Sequence, residues 1–160
     1  MGKHDNRNKT GIIFGAVIAA LAIAVAFIVM LLLESYRIRE FKVDVFVLCN
    51  ESDICVADSP EGKIKIHQDN LPAIYSILQK SHGRTVSGNP EPVDSLSMEF
   101  ECHNEEWTMI IDKIDEEILK ISLFGPEEKS MYFSNKGAYN EYAKAVSLKG
   151  YNTANKTIGK

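Results

Sequence analysis

The first pattern along the chain is a long stretch without polarity. From Gly11 to Leu33 the sequence reads GIIFGAVIAALAIAVAFIVMLLL, 23 residues with no charged or strongly polar side chain. As a helix it spans about 35 Å, enough for a hydrocarbon core of about 30 Å with some tilt. A core helix of a soluble domain would keep polar positions on one face, and this segment keeps none. The triplets Ala22-Ile23-Ala24 and Ala24-Val25-Ala26 resemble a signal-peptide cleavage site, but the apolar run continues past them to Leu33. A cleavable apolar region ends before its small-residue triplet, so the run predicts an uncleaved anchor in the lipid bilayer. Residues 1–10 are a polar tail ahead of it, and 34–40 (ESYRIRE) form a juxtamembrane link.

Beyond the anchor the pattern changes to that of a folded domain over 41–150. Phe41 to Cys49, FKVDVFVLC, is rich in β-branched and aromatic residues and predicts a strand. Turn chemistry at 50–53 predicts that Ile54 to Ala57 returns beside it as a hairpin. Ser59-Pro60-Glu61-Gly62 is a second turn, leading into the alternating Lys63 to His67. A helix follows, capped by Asp69 or Asn70, with Pro72 in its first turn and Gly83 as its stop. Its apolar positions, Leu71, Ile74, Tyr75, Ile77 and Leu78, share one face. Residues 84–93 are a loop.

The clearest sheet signal starts at Ser95. In SLSMEFEC, Leu96, Met98, Phe100 and Cys102 fall on one side and Ser95, Ser97, Glu99 and Glu101 on the other. After a turn over 103–106, Trp107, Met109 and Ile111 share a face. So do Leu119, Ile121 and Leu123, and 131–133 is a short last strand. A final helix from Ser134 or Asn135 carries Tyr139, Tyr142, Ala143 and Val146 on one stripe. Gly150 ends it, and 151–160 reads as a disordered tail. The predicted fold is α+β, an antiparallel meander with two helices on one face.

Charge narrows the partners. Residues 34–160 hold 15 Lys and Arg against 21 Asp and Glu. That balance disfavours nucleic acid and anionic membrane surface. Twelve of the acidic residues lie between Glu91 and Glu128, opposed by Lys113 and Lys120 alone. Glu99, Glu101 and Asp112 therefore predict an acidic sheet face able to receive a protein with a basic surface. The competing reading is an open face kept soluble by charge. Ile110 and Phe124 point outward on the same face.

Candidate chemistry is sparse. Cys49 and Cys55 flank the predicted hairpin turn and would pair in an oxidising compartment, although two small buried hydrophobes is the competing account. Cys102-His103 has the composition of a nucleophile and its base, but successive strand residues face opposite sides. The four histidines lack ligand spacing, and the acidic turn 112–117 lacks the glycine of a calcium loop. No metal, cofactor or catalytic residue is therefore expected. Asn50-Glu51-Ser52 and Asn155-Lys156-Thr157 match the glycosylation pattern, which matters only on a eukaryotic secretory route. In the anchor, Gly11, Gly15 and Ala19 form a small-residue stripe of the kind that brings two helices together, predicting a homodimer.

Lys3, Arg7 and Lys9 precede the anchor and Arg37, Arg39 and Lys42 follow it. A short basic tail before a long apolar run places the N-terminus in the cytoplasm and the domain outside it. The function expected is a membrane-anchored, extracytoplasmic, non-catalytic binding or sensing module. The alternatives are an accessory subunit of a larger membrane complex and, third, an enzyme without a recognisable motif.

Overall fold

Nothing interrupts the helix that the apolar stretch begins, because no glycine or proline occurs between Ala16 and Ser59. In the computed structural model, which describes residues 5–59 and 62–147 and only the backbone at 5–13, 59 and 147, α1 runs unbroken from Asp5 to Glu51. Its first part is long and apolar enough to cross a membrane. Every side chain from Phe14 to Leu33 is exposed. The chain divides into two units, residues 1–37 and 38–160.

The second unit corrects the reading of Phe41 to Cys49, which is helix and not strand. Both periods fit that segment. Phe41, Val43, Val45, Val47 and Cys49 alternate as a strand would, and Phe41, Val45, Leu48 and Cys49 recur at helical spacing. The helical set is the buried one, at 1–2% exposure. Extending a helix already under way costs no new nucleus, which outweighs the weak β preference of three valines. Residues 34–40, expected as a link, are part of the same helix.

The sheet has seven strands in the order β2-β1-β4-β5-β6-β7-β3, each antiparallel to its neighbours. They are β1 (Ile54–Ser59), β2 (Gly62–Ile66), β3 (His82–Arg84), β4 (Asp94–Cys102), β5 (Glu105–Lys113), β6 (Ile118–Phe124) and β7 (Lys129–Ser134). The meander of β4 to β7 is as expected. Strand β1 pairs with β2 and β4 and not with the segment before it. Residues 60 and 61 of the expected turn lie outside the described residues, as do Gly150 and the tail 151–160.

Helix α2 (Leu71–Gln79) buries Leu71, Ile74, Ile77 and Leu78, and α3 (Ala138–Ser147) follows Gly137, whose φ is +77°. Asn70 makes no side-chain cap, and a single tight turn over Gln68–Asn70 leads into α2. Nor does Gly83 stop that helix. The helix ends at Gln79, and just past that end Lys42 Nζ of α1 donates to the carbonyl of Ser81 at 2.7 Å, while Ser81 Oγ donates to the Ile77 carbonyl at 2.9 Å. A cation at the carbonyl end of a helix is favourable. Gly83 lies in β3, where a Cβ would overlap the Ile38 side chain.

The core lies on one face of the sheet. Met98, Met109, Ile111, Ile121, Leu123 and Phe133 are fully buried there with Ile74, Leu78 and Val45 of the helices. Each such side chain contributes about 1.5–3 kcal/mol on leaving water. The other face of the sheet carries no helix among the described residues.

Candidate functional site

The period-two alternation that buries the core leaves the odd residues of β4 on the open face, and the strand register sorts them into rows. One row runs Ile54, Glu101, Glu106. The next runs Val56, Glu99, Thr108, Phe124. Farther along come Ser97, Ile110, Ser122 and Ser130, and then Ser95, Asp112, Lys120 and Tyr132. Ile54 and Phe124 are 37% and 38% exposed, and Ile110 and Val56 are half-buried.

The three carboxylates expected to form one acidic surface have different surroundings. Lys63 of the edge strand β2 donates to both oxygens of Glu99, at 2.6 and 2.8 Å. That hydrogen bond, with the charge of Glu99, pushes the Lys63 pKa up. Asp112 accepts from Ser95 Oγ at 2.6 Å and lies opposite Lys120. It is six residues along β4 from Glu101, or about 20 Å. Glu101, by contrast, faces Glu106, and neither carboxylate has an ion pair or side-chain hydrogen bond among the described residues. The unneutralised charge therefore sits at the β1–β4–β5 end. A depression of about 310 Å³ opens there, lined by Ile54, Val56, Glu99, Glu101, Glu106 and Thr108 among others.

Glu106 was not singled out in the sequence. Its position follows from the turn before it, which takes two residues and not four. Cys102 pairs with Glu105, and His103 and Asn104 have φ of +54° and +64°. Positive φ at both central residues matches the twist of a hairpin, and Asn tolerates it. The signal was Asn104.

The same turn alters the Cys102-His103 geometry. His103 has left the strand, so its ring swings back and Nδ1 lies 3.8 Å from Cys102 Sγ, while Nε2 lies 3.0 Å from Glu51 Oε2. The alternation argument against convergence thus fails at the strand end. The thiol is nonetheless poorly placed for nucleophilic work. It is 2% exposed, and burial pushes its pKa up, opposed by the Ser52 hydroxyl and aided by the charges of Glu51, Asp53 and Glu105. A thiolate is the reactive form.

Cys49 comes from α1 and Cys55 from β1, and both are buried thiols that no disulfide joins. Burial, with the nearby Cys55 as the next cause, pushes Cys49 up to about 12. A second depression, of about 240 Å³, lies where α1 ends, lined by Asn50, Glu51, Asp53 and Gln68 among others. Gln68 Nε2 spans it to the carbonyls of Ser52 and Asp53 at 3.3 and 3.4 Å. Among the described residues no group of His, Cys, Asp and Glu is arranged to hold a metal ion. In the anchor stripe, Gly15 has open space beside it and Ala19 is exposed, while the surroundings of Gly11 lie outside the described residues. No family model, curated protein or solved structure matches the chain.

Proposed function

We propose that the chain is a single-pass membrane protein whose domain lies outside the cytoplasm and binds a protein partner, without catalysis, through the open face of its sheet. One observation carries the reading. That face keeps two directly opposed carboxylates that make no ion pair among the described residues, beside apolar side chains left in water. Like charges opposite each other on neighbouring strands are destabilising, and exposed apolar groups amid charge fit a surface that another molecule covers. The wholly exposed apolar stretch from Phe14 to Leu33 supports the anchor. The basic residues before it support the orientation.

A photo-crosslinking residue at Thr108, on the open face, tests the binding role in the full chain in its own cells. It is expected to trap a protein that the same residue at Ser76, on α2, does not trap. Equal yields from both positions, or none from Thr108, would reject the face as a contact surface. Orientation has a separate test. The three native thiols are buried, so an added Ser87→Cys in the exposed loop is the one expected to react with a membrane-impermeant maleimide in intact cells. Labelling only after lysis would place the domain inside.

The open space beside Gly15 favours a second reading, an accessory subunit or homodimer that packs through the anchor helix. Gly15→Leu is then expected to abolish self-association in membranes, and unchanged association would reject that packing.

A further inference from the structure

We infer that the partner presents a basic polypeptide segment, one lysine or arginine side chain of which seats in the depression between β1, β4 and β5. The inference rests on the open face being a contact surface, and it names what that surface takes.

Three features of the depression converge on a long cationic side chain. Its floor holds Glu101 and Glu106 in one row, opposite each other and without an ion pair among the described residues. Glu99 is matched by Lys63 and Asp112 by Ser95 and its neighbour Lys120, while Lys65, opposite Val56 on the same face, is exposed and pairs with neither Glu101 nor Glu106. Ile54 and Val56 form an apolar wall along the same row and the next. A lysine or arginine lays its aliphatic stem on apolar surface and keeps its charged end polar, so the wall takes the stem and the carboxylates take the cation. Lys63 shows the chemistry within the chain. From the edge strand its ammonium reaches both oxygens of Glu99. An incoming cation would complete the row that Lys63 leaves open.

The charge also argues against other occupants. A second copy would bring its own acidic face to this one, and an anionic lipid surface would be repelled. A polar ligand without positive charge would leave the two carboxylates uncompensated.

The test uses the full chain in discs of zwitterionic lipid. The probe is a fluorescent peptide of alternating lysine and serine, blocked at both ends, with a norleucine-for-lysine peptide beside it. The lysine peptide is expected to bind and the norleucine peptide not. Glu101→Gln with Glu106→Gln should weaken binding about tenfold or more, the scale of lost hydrogen bonds to a charged group. Glu91→Gln with Glu128→Gln removes the same charge from exposed positions elsewhere and should change binding less than about twofold. Lys63→Ala, which uncovers Glu99, should tighten it. The Glu101/Glu106 variant should melt no lower than the parent, because it relieves a repulsion, which separates lost recognition from lost folding.

Absent binding of the lysine peptide, equal binding of the norleucine peptide, or equal weakening by both double variants would overturn the proposal. So would displacement of the peptide by an equal concentration of free spermidine. If the Thr108 crosslink persists in the Glu101/Glu106 variant, the contact surface stands and its cation seat falls.

Discussion

The two parts of α1 are one helix built to two different rules. From Phe14 to Leu33 every side is apolar and every side chain is exposed. From Ile38 to Glu51 one side holds Phe41, Val45, Leu48 and Cys49 in the domain core, while Arg39, Val43, Phe46 and Asn50 stay outside. The backbone hydrogen bonds are alike in both. What differs is the pattern of each sequence, apolar all round and long enough to cross a membrane in one and a half-buried interface in the other. Helix continuity therefore says nothing about environment, and the distribution of polar residues around the axis says most of it.

The contrast is easiest to break at the buried side of the second part. Phe41, packed 5.7 Å centroid to centroid from Phe133, is 2% exposed. Phe41→Ala is expected to destabilise the domain by about 3–5 kcal/mol, read from urea unfolding followed by circular dichroism. Phe27→Ala, in the first part, should leave that unfolding unchanged. A polar residue in the first part tests the other medium. Val25→Arg should disfavour insertion by about 2.5–3.5 kcal/mol and move chain from the membrane fraction to the soluble or degraded one. Full retention in the membrane would contradict the anchor.

Titration sharpens the comparison, because the first part carries no titratable side chain between Gly11 and Leu33. Cys49 and Tyr139 are held protonated in the folded domain, each pushed up to about 12, mainly by burial. The unfolded chain then ionises first. Stability from these groups is complete below about pH 9, where the free thiol titrates, and is lost as pH rises toward about 12. Each contributes a fall of up to about 1.4 kcal/mol per pH unit once only the unfolded form ionises. Denaturation midpoints measured across that range should fall for the domain, and Cys49→Ala should shallow the slope.

The smallest effect is expected at Lys42, which joins the second part of α1 to the end of α2 and whose pKa burial pushes down. Lys42→Met should cost about 1 kcal/mol, since the carbonyls it serves stay close to water. A cost above that of Phe41→Ala would mean that the cap, and not the core, organises the pair of helices.

How much of this was legible follows from how many patterns a segment fits. Strands β4 to β7 could be read almost to their ends, because strict alternation between turns admits one solution. The long apolar helix was legible because 23 residues without a polar side chain fit one continuous helix long enough to cross a membrane. Phe41 to Cys49 was not, since five alternating apolar residues satisfy a strand while four of the buried ones satisfy a helix. Strand β3 was missed because three residues, His82 to Arg84, carry no period, and only pairing with β7 makes them a strand. At the candidate site Glu99 and Glu101 were visible as the polar side of β4. That Glu99 is neutralised by Lys63 of β2, 36 residues earlier, is a fact of register that no local pattern contains. Glu106 hinged on one turn residue, Asn104.

The chain has a single tryptophan, and β5 places it where it does more than fill space. Trp107 pairs with Phe100 on the core side of β5, so its indole is half-buried against the core, on the opposite face from Glu106 and Thr108. Its ring packs on Gly125, where any side chain would collide with it. An indole held in this way at the edge of the core is a built-in optical reporter of the packing around it. Its emission shifts when the core opens and stays put when a charge arrives on the far face, so loss of packing can be told from occupancy by the protein's own light.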